Sequence, residues 1–303
     1  MGKVMGGSSS RERQEERPRP PDPLFLEPWR PFNFETERKV SMMKLVRNLK
    51  ISNPEVKHLR ILVHGPVGAG KSSFINSIDS IFQDRMAQGA LVGHADISFT
   101  KMFKSHKIRD GRAGRILPLV ISDIMGLENT DAAGAHIDDL KMALEGRLKD
   151  GYTFNPLSPL KEGDANYNHC PTLDDKVHCL VSVLPADKIT LMNDRNVHDV
   201  ITKLRNIREK ASQLGIPQVV LMTKVDDACP EVRKDLKMIY RDKKIKEKMQ
   251  QCSNKLGVPM NCIFPVKNYH EEIDLNDDVD MLLLSALTNI LNFADDHVAD
   301  QVI

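Results

Sequence analysis

The chain has 303 residues, with 43 Lys and Arg against 42 Asp and Glu and a net charge of +1, so no global charge points to nucleic acid or membrane. Its 41% hydrophobic content is enough to bury a core. Five cysteines, an odd number without a C-x-x-C pair, suit reduced thiols, and the longest apolar run, 281–287, is far too short to span a bilayer. Position 6 is Gly where myristoylation wants Ser or Thr, and no prenylation cysteine stands at the C-terminus. These features predict a soluble intracellular protein.

Residues 1–35 run from Gly/Ser through Arg/Glu to Arg17-Pro-Arg-Pro-Pro-Asp-Pro23 and read as a disordered or extended lead-in. Within it, 24–30 holds the only tryptophan, Trp29, and is the part able to dock on the domain. The spacing predicts a short helix over 35–49 with Val40, Met43, Leu45 and Leu49 as its apolar positions, so that 36–55 form a helix and linker closed by Pro54. The pattern from 56 to 295 is that of one domain, with 296–303 as a tail.

The apolar run 59–64 leads into Gly65-Pro66-Val67-Gly68-Ala69-Gly70-Lys71-Ser72, which fits G-x-x-x-x-G-K-[ST]. Phe74, Ile75, Ile78, Ile81 and Phe82 then recur at helical spacing. Strand, glycine loop and helix set a helix N-terminus against an anion. Gly65, Gly68 and Gly70 lack Cβ atoms, so successive N–H groups can turn inward and approach a phosphate closely. Lys71 would place a point charge on the β- and γ-phosphates, in binding and in catalysis. The Ser72 hydroxyl would ligate Mg²⁺, and Ser73 would lie near the α-phosphate.

A polar loop, 83–98, precedes two apolar stretches, 100–108 and 115–122, around Asp110-Gly-Arg-Ala-Gly114, a predicted β-hairpin. The second stretch ends in Asp123-Ile-Met-Gly126. D-x-x-G recurs at Asp131–Gly134, but only the first copy follows an apolar strand. In a P-loop switch protein such an Asp holds Mg²⁺ through water and the Gly N–H senses the γ-phosphate, so Asp123 is a metal-site candidate and Gly126 a catalytic one. Thr100 stands where a Mg²⁺-ligating switch threonine belongs, with Ser98 as its rival.

A helix carrying Ile137, Leu140, Leu144 and Leu148 is followed by 151–175, a long polar stretch that reads as an insertion or a mobile surface. His169-Cys170 and His178-Cys179 lack the spacing of a short chelating pair, and the next buried strand, 177–184, favours core packing over zinc. A helix over 193–214 stops at Gly215 and Pro217, and the buried strand 218–222 ends in Thr223-Lys224-Val225-Asp226. [NT]-K-x-D at a strand end reads guanine. The Asp226 carboxylate accepts from N1–H and the exocyclic amine, which adenine cannot offer, and the Lys224 stem covers the ring. A basic helix is predicted over 231–255, mostly a solvated face but also a place for an acidic partner or peripheral membrane contact. After the strand 262–266, Asn268 is a candidate base contact, and a terminal helix runs over 277–293.

This order predicts a doubly wound, mostly parallel α/β sheet with one antiparallel hairpin strand, the P-loop NTPase fold of the Ras-like GTPase type. Guanine nucleotide (GTP or GDP) and Mg²⁺ would sit at the strand C-termini. The runs Gly65-Pro-Val-Gly-Ala-Gly-Lys-Ser-Ser-Phe-Ile-Asn76 and Ser122-Asp-Ile-Met-Gly-Leu-Glu128, with Glu27-Pro-Trp-Arg30 and Leu283-Leu-Ser-Ala-Leu287, resemble the interferon-induced protein 44 and 44-like family over residues 24–295. The resemblance implies a cytoplasmic protein of the interferon-driven antiviral response with a Ras-like nucleotide-binding domain; the immune role rests on resemblance alone. Some members carry an added N-terminal domain of the TLDc type, which is not expected within these 303 residues.

Leu127 occupies the position after D-x-x-G where a glutamine orients water in Ras-like enzymes, and it neither donates nor accepts. Arg109, Arg112 and Arg115 lie on the hairpin, away from the expected γ-phosphate. The expectation is therefore nucleotide binding with slow intrinsic turnover, raised by a partner protein or self-association. A small-molecule P-loop kinase would leave Thr223 to Asp226 accidental. A non-catalytic scaffold, stabilised by nucleotide, would act through 151–175 and the basic helix. No nucleic-acid partner is expected.

Overall fold

A computed structural model of the chain describes residues 22–87, 89–90, 101–111, 114–124, 126–127, 135–189 and 195–302, with the backbone alone at 195–199. Among the described residues, six strands form one sheet: β1 (Leu59–His64), β2 (Lys104–Asp110), β3 (Arg115–Asp123), β4 (Cys179–Pro185), β5 (Gln218–Thr223) and β6 (Ile263–Pro265). Their order is β2-β3-β1-β4-β5-β6. The neighbouring pairs are parallel except β2 and β3, whose hairpin register sets Lys104 opposite Asp123. The chain adopts the doubly wound, mostly parallel class read from its sequence. β4 is buried at every position and β1 at all but one, which is why both read as continuous apolar runs.

The chain passes from β1 to β3 on one side and reaches β4 on the other, so the crevice of the sheet opens at the C-terminal end of β1. From there α2 (Lys71–Gln83) runs with Phe74, Ile78, Ile81 and Phe82 buried. The final helix, α8 (Asp277–Ala299), packs on β1, β4 and β6 and against α2, while α4 (Arg195–Gln213) lies on β4 beside α3 (Ile137–Leu144). α8 is capped by the Asn276 side chain and continues into the stretch read as a tail.

The first helix, α1 (Thr36–Arg47), buries only part of the stripe its apolar residues predict: Met43, and Leu49 just beyond it, pack partly buried against the core. Val40 and Leu45 are 59% and 61% exposed, whereas Met42 and Val46 are buried. The reason is polar. Lys39 Nζ reaches Asp277 Oδ1 at 2.6 Å and Asp280 Oδ2 at 2.7 Å on α8, and this turns the 39, 42, 46 face toward that helix.

The basic stretch 231–255 is likewise not one helix. It divides into α6 (Pro230–Lys234), a 3₁₀ turn (Leu236–Tyr240) and α7 (Lys243–Leu256). Asp235 and Asp242 break it, because each carboxylate caps the next segment by accepting from the Lys237 and Ile245 amides. Between α6 and β5 the single turn α5 (Val225–Ala228) carries Asp226.

Two segments without regular structure are fastened to this frame. In the lead-in, Phe25 N–H donates to Arg241 O and Trp29 N–H to Tyr240 O, while Trp29 meets the Tyr240 ring edge-on at 5.5 Å. Arg241, Lys243 and Lys246 of the basic stretch hold the other side. They donate to the Phe25, Leu26 and Asp22 carbonyls or lie over the Phe25 ring.

Residues 151–175 bury Tyr152, Phe154 and Leu160 and form a bridge between Met102 and Thr153. Their anchor is Asp139 on α3, fully buried, which accepts from Tyr152 Oη at 3.0 Å and from Leu160 N–H at 2.7 Å. Asp139→Ala leaves both donors without this acceptor and is expected to cost about 2–3 kcal/mol in urea unfolding. Amide exchange should rise first over 151–160.

Candidate functional site

β1 ends in His64, and the loop 65–70 turns directly into α2. Gly65, Gly68 and Gly70 have φ of +148°, +71° and +91°. At Gly65 a Cβ would lie 2.2 Å from the Val183 carbonyl oxygen, so β4 leaves room for backbone only. Lys71 is 7% exposed, and its Nζ donates to Gly65 O at 3.1 Å and Pro66 O at 3.0 Å. Burial lowers its pKa, and the nearby Asp123 opposes that shift.

Ser72 Oγ donates to Asp123 Oδ2 at 2.5 Å. Burial raises the Asp123 pKa, against the pull of Lys71 and the Ser72 hydrogen bond. A hydroxyl and a carboxylate that share one point beside a buried ammonium form a donor set of the kind Mg²⁺ takes from a P-loop and a D-x-x-G aspartate. Ser73 follows in the first turn of α2.

The base-side candidates are tied to this loop. Thr223, fully buried at the end of β5, donates from Oγ1 to Ala69 O at 2.6 Å. Asn268 donates from Nδ2 to Gly70 O at 3.0 Å, and a Cβ on Gly70 would come within 2.8 Å of that nitrogen. Lys224 has φ +55° and caps the start of α5, a conformation uncommon outside glycine, and it turns the chain sharply so that Asp226 follows within one turn. Thr223 and Asn268 thus act on the loop itself. Lys224 and Asp226 lie beyond it.

On the third side, Gly126 packs against Val67, with room for no Cβ: one would sit 2.6 Å from Val67 Cγ2. Leu127 is buried and bridges Pro66, donating from N–H to Gly65 O at 3.0 Å and accepting from Val67 N–H at 3.3 Å. Thr100, its rival Ser98, Glu128 and the second D-x-x-G copy lie outside the described residues. The structure therefore gathers Gly65, Gly68, Gly70, Lys71, Ser72, Asp123, Gly126, Thr223 and Asn268 around one loop.

Sequence reasoning missed two neighbours of this loop. His64, fully buried, has its Nε2 at 2.8 Å from Ser182 Oγ on β4. Its place in an apolar strand gave no polar signal. Lys267, next to Asn268, faces Asp226 at 3.7 Å and Glu272 at 2.7 Å. At 178–179 the side chains pack in the core, as the strand pattern predicts. His178 Nδ1 accepts from Arg60 N–H and its Nε2 faces Leu173 O, while Cys179 is core and Cys170 is exposed.

A glycine loop at the switch point of a doubly wound sheet, with D-x-x-G off β3 and T-K-x-D off β5, defines the P-loop GTPase-like class of α/β fold. No family model matches the chain. Interferon-induced protein 44 of Homo sapiens is 34% identical over 264 residues, 87% of this chain and 58% of that protein. Interferon-induced protein 44-like of Homo sapiens is 33% identical over 265 residues, again 87% of this chain and 58% of that protein. Over those residues the chain belongs to the interferon-induced protein 44 and 44-like family, and it spans 58% of the length of these relatives.

Among solved structures, Toc33 from Arabidopsis thaliana in complex with GDP and Mg²⁺ is similar at a TM-score of 0.46 and 12% identity, covering 84% of this chain and 90% of that one. A probable GTP-binding protein engB is similar at 0.41 and 11%, covering 78% and 98%. At such scores the fold is assigned on the strand order and loop geometry of this chain.

Burial, with the charges of Lys71 and Arg208, pushes the His64 pKa down from 6.5 to about 3. The unfolded chain therefore takes up a proton on this histidine below its ordinary value while the folded chain does not. Stability present above pH 6.5 is lost progressively as pH falls toward 3. For this one group the loss at pH 5 is about 2 kcal/mol relative to pH 7. Denaturation at the two pH values should show His64→Gln with a smaller pH 5 penalty than the parent by about that amount.

Proposed function

We propose that the chain is a guanine-nucleotide-binding switch with slow intrinsic hydrolysis, acting in the interferon response that names its relatives. The observation that carries this reading is the pair of bonds from Thr223 and Asn268 to consecutive P-loop carbonyls, Ala69 O and Gly70 O. They hold the ends of β5 and β6, where a base would be read, at a fixed offset from the loop that would cradle phosphates. In such a site the loop amides and Lys71 bind the phosphates, Ser72 and Asp123 hold Mg²⁺, and Asp226 accepts from the guanine edge beneath the Lys224 stem. Bound there, Mg²⁺ would neutralise charge on the phosphates. Thr100 remains the proposed switch ligand to Mg²⁺.

Slow turnover has its own support. Leu127 is packed in the core and fastened to Pro66, so its side chain offers nothing to orient a water, and Val67 fills the space over Gly126. A partner protein or self-association would have to supply the missing polar group. Peripheral membrane contact through 231–255 draws less support, because Arg241, Lys243 and Lys246 already face the lead-in.

Thermal-shift titration with GDP, GTP and ATP in Mg²⁺ tests the reading, since ligand at a hundredfold over Kd stabilises the native state by about 2.7 kcal/mol. Guanine nucleotides are expected to raise the melting temperature and ATP is not. Asp226→Ala should abolish the shift, and Lys71→Ala should weaken it for both guanine nucleotides. Equal shifts with ATP would sink the guanine assignment, and no shift with any nucleotide would leave the scaffold reading in its place. Single-turnover hydrolysis by the isolated protein is expected to take many minutes; release of phosphate within seconds would refute the slow-switch reading.

A further inference from the structure

The loop after β6 is more rigidly held than its lack of regular structure suggests. Asn268 donates to Gly70 O, Tyr269 N–H to Ser77 Oγ on α2 at 3.0 Å, and Tyr269 Oη to Asp280 Oδ1 on α8 at 2.6 Å. Asn276 N–H donates back to Tyr269 Oη at 2.6 Å, and Lys39 of α1 closes on Asp280 from the other side. Lys267 stands at the head of this locked segment. Its Nζ lies 2.7 Å from Glu272 Oε1 and 3.7 Å from Asp226 Oδ2. Glu272 is fixed in turn, because its other oxygen accepts from His270 N–H at 2.8 Å.

A carboxylate on a one-turn helix has freedom of rotation that must be lost before it can accept two parallel N–H groups from a base. A cation beside one of its oxygens removes part of that freedom beforehand, provided the cation is itself held. We infer that Lys267, braced by Glu272, is a positioning residue that aims the Asp226 carboxylate at the N1–H and 2-amino edge of guanine. The inference rests on the nucleotide reading proposed above and adds a residue that the T-K-x-D motif does not contain.

The electrostatics agree. Burial works against ionised Glu272, yet Lys267 and the His270 N–H hold its carboxyl down to about 2. Burial likewise opposes charge on Lys267, and the two carboxylates outweigh it and raise its pKa. The charges thus persist across the physiological range. Lys267 and Asp226 are 27% and 22% exposed, so solvent screens the pair only in part and leaves the carboxylate reachable by a base.

The test compares GDP with the hypoxanthine nucleotide IDP, which keeps N1–H and lacks the 2-amino group. Kd for GDP, IDP and ADP is measured for the parent chain, Lys267→Met, Lys267→Arg, Glu272→Gln and Asp226→Ala, with melting temperatures to confirm folding. Lys267→Met is expected to weaken GDP about fivefold to tenfold and IDP by less, so that the IDP-to-GDP ratio of Kd falls; a partly buried charge pair is worth roughly this much. Lys267→Arg should restore the ratio and Glu272→Gln should lower it part of the way. A general loosening of the loop would weaken both nucleotides equally, and that result would overturn the inference. An unchanged ratio in Lys267→Met alongside lost GDP binding in Asp226→Ala would overturn this inference and leave the guanine site standing. A parent chain that does not prefer GDP to ADP would overturn both.

Discussion

The ammonium of Lys71 is the constraint on which the end of the sheet depends. A lysine removed from water needs replacement partners, and the loop turns two of its own carbonyls, Gly65 O and Pro66 O, onto Nζ. The counter-charge is Asp123, which reaches the same place because β3 runs parallel to β1 with Val63 opposite Asp123. The far side of the loop is held by hydrogen bonds from β5 and from the segment after β6. β1 and β3 thus converge on one charged group, β5 and the segment after β6 hold the loop that carries it, and His64, one residue upstream of the loop, is kept neutral chiefly by burial and partly by that charge. The interior cost of one cation accounts for the carbonyls turned onto Nζ and for Asp123 at the end of β3.

What the amino-acid pattern revealed divides along a physical line. Buried strands and the P-loop helix were legible because hydrophobic period and glycine spacing are local signals. So were Lys71, Ser72 and Asp123, whose roles follow from position within a short motif. The buried face of α1 was only half legible, since Met43 and Leu49 pack on the core and Val40 and Leu45 do not. An ion pair from Lys39 to a helix more than two hundred residues away turns Met42 and Val46 inward in place of Val40 and Leu45. The division of the basic stretch was written in Asp235 and Asp242, but a capping aspartate inside a run of lysines looks like charge alternation until its amide partners are seen. Lys267 was invisible for the same reason as Lys39: its meaning lies in a carboxylate brought near by the fold.

The T-K-x-D motif also proves to be two different things in one word. Thr223 is turned inward and commits its hydroxyl to the P-loop, and Asp226 is turned outward on a helix of one turn. A motif of four consecutive letters therefore joins the phosphate cradle to the proposed base reader through a single peptide in the left-handed region. On the opposite side, the chain after D-x-x-G is stitched to the loop by a two-bond bridge at Leu127, so that segment begins as an extension of the sheet.

The connection from α1 through Lys39, Asp280 and Tyr269 to the segment after β6 bears on where this folding unit starts. By secondary structure alone, the sheet and its glycine loop begin at Leu59, and α1 looks like a preface that could be trimmed. Yet Asp280 is fully buried, and Lys39 is the cation that answers its charge from outside the sheet. Trimming α1 would strand a carboxylate in the core, directly behind the tyrosine that fixes the loop at the proposed base site. The folding unit is therefore larger than the part that resembles a GTPase core, and α1 belongs to it.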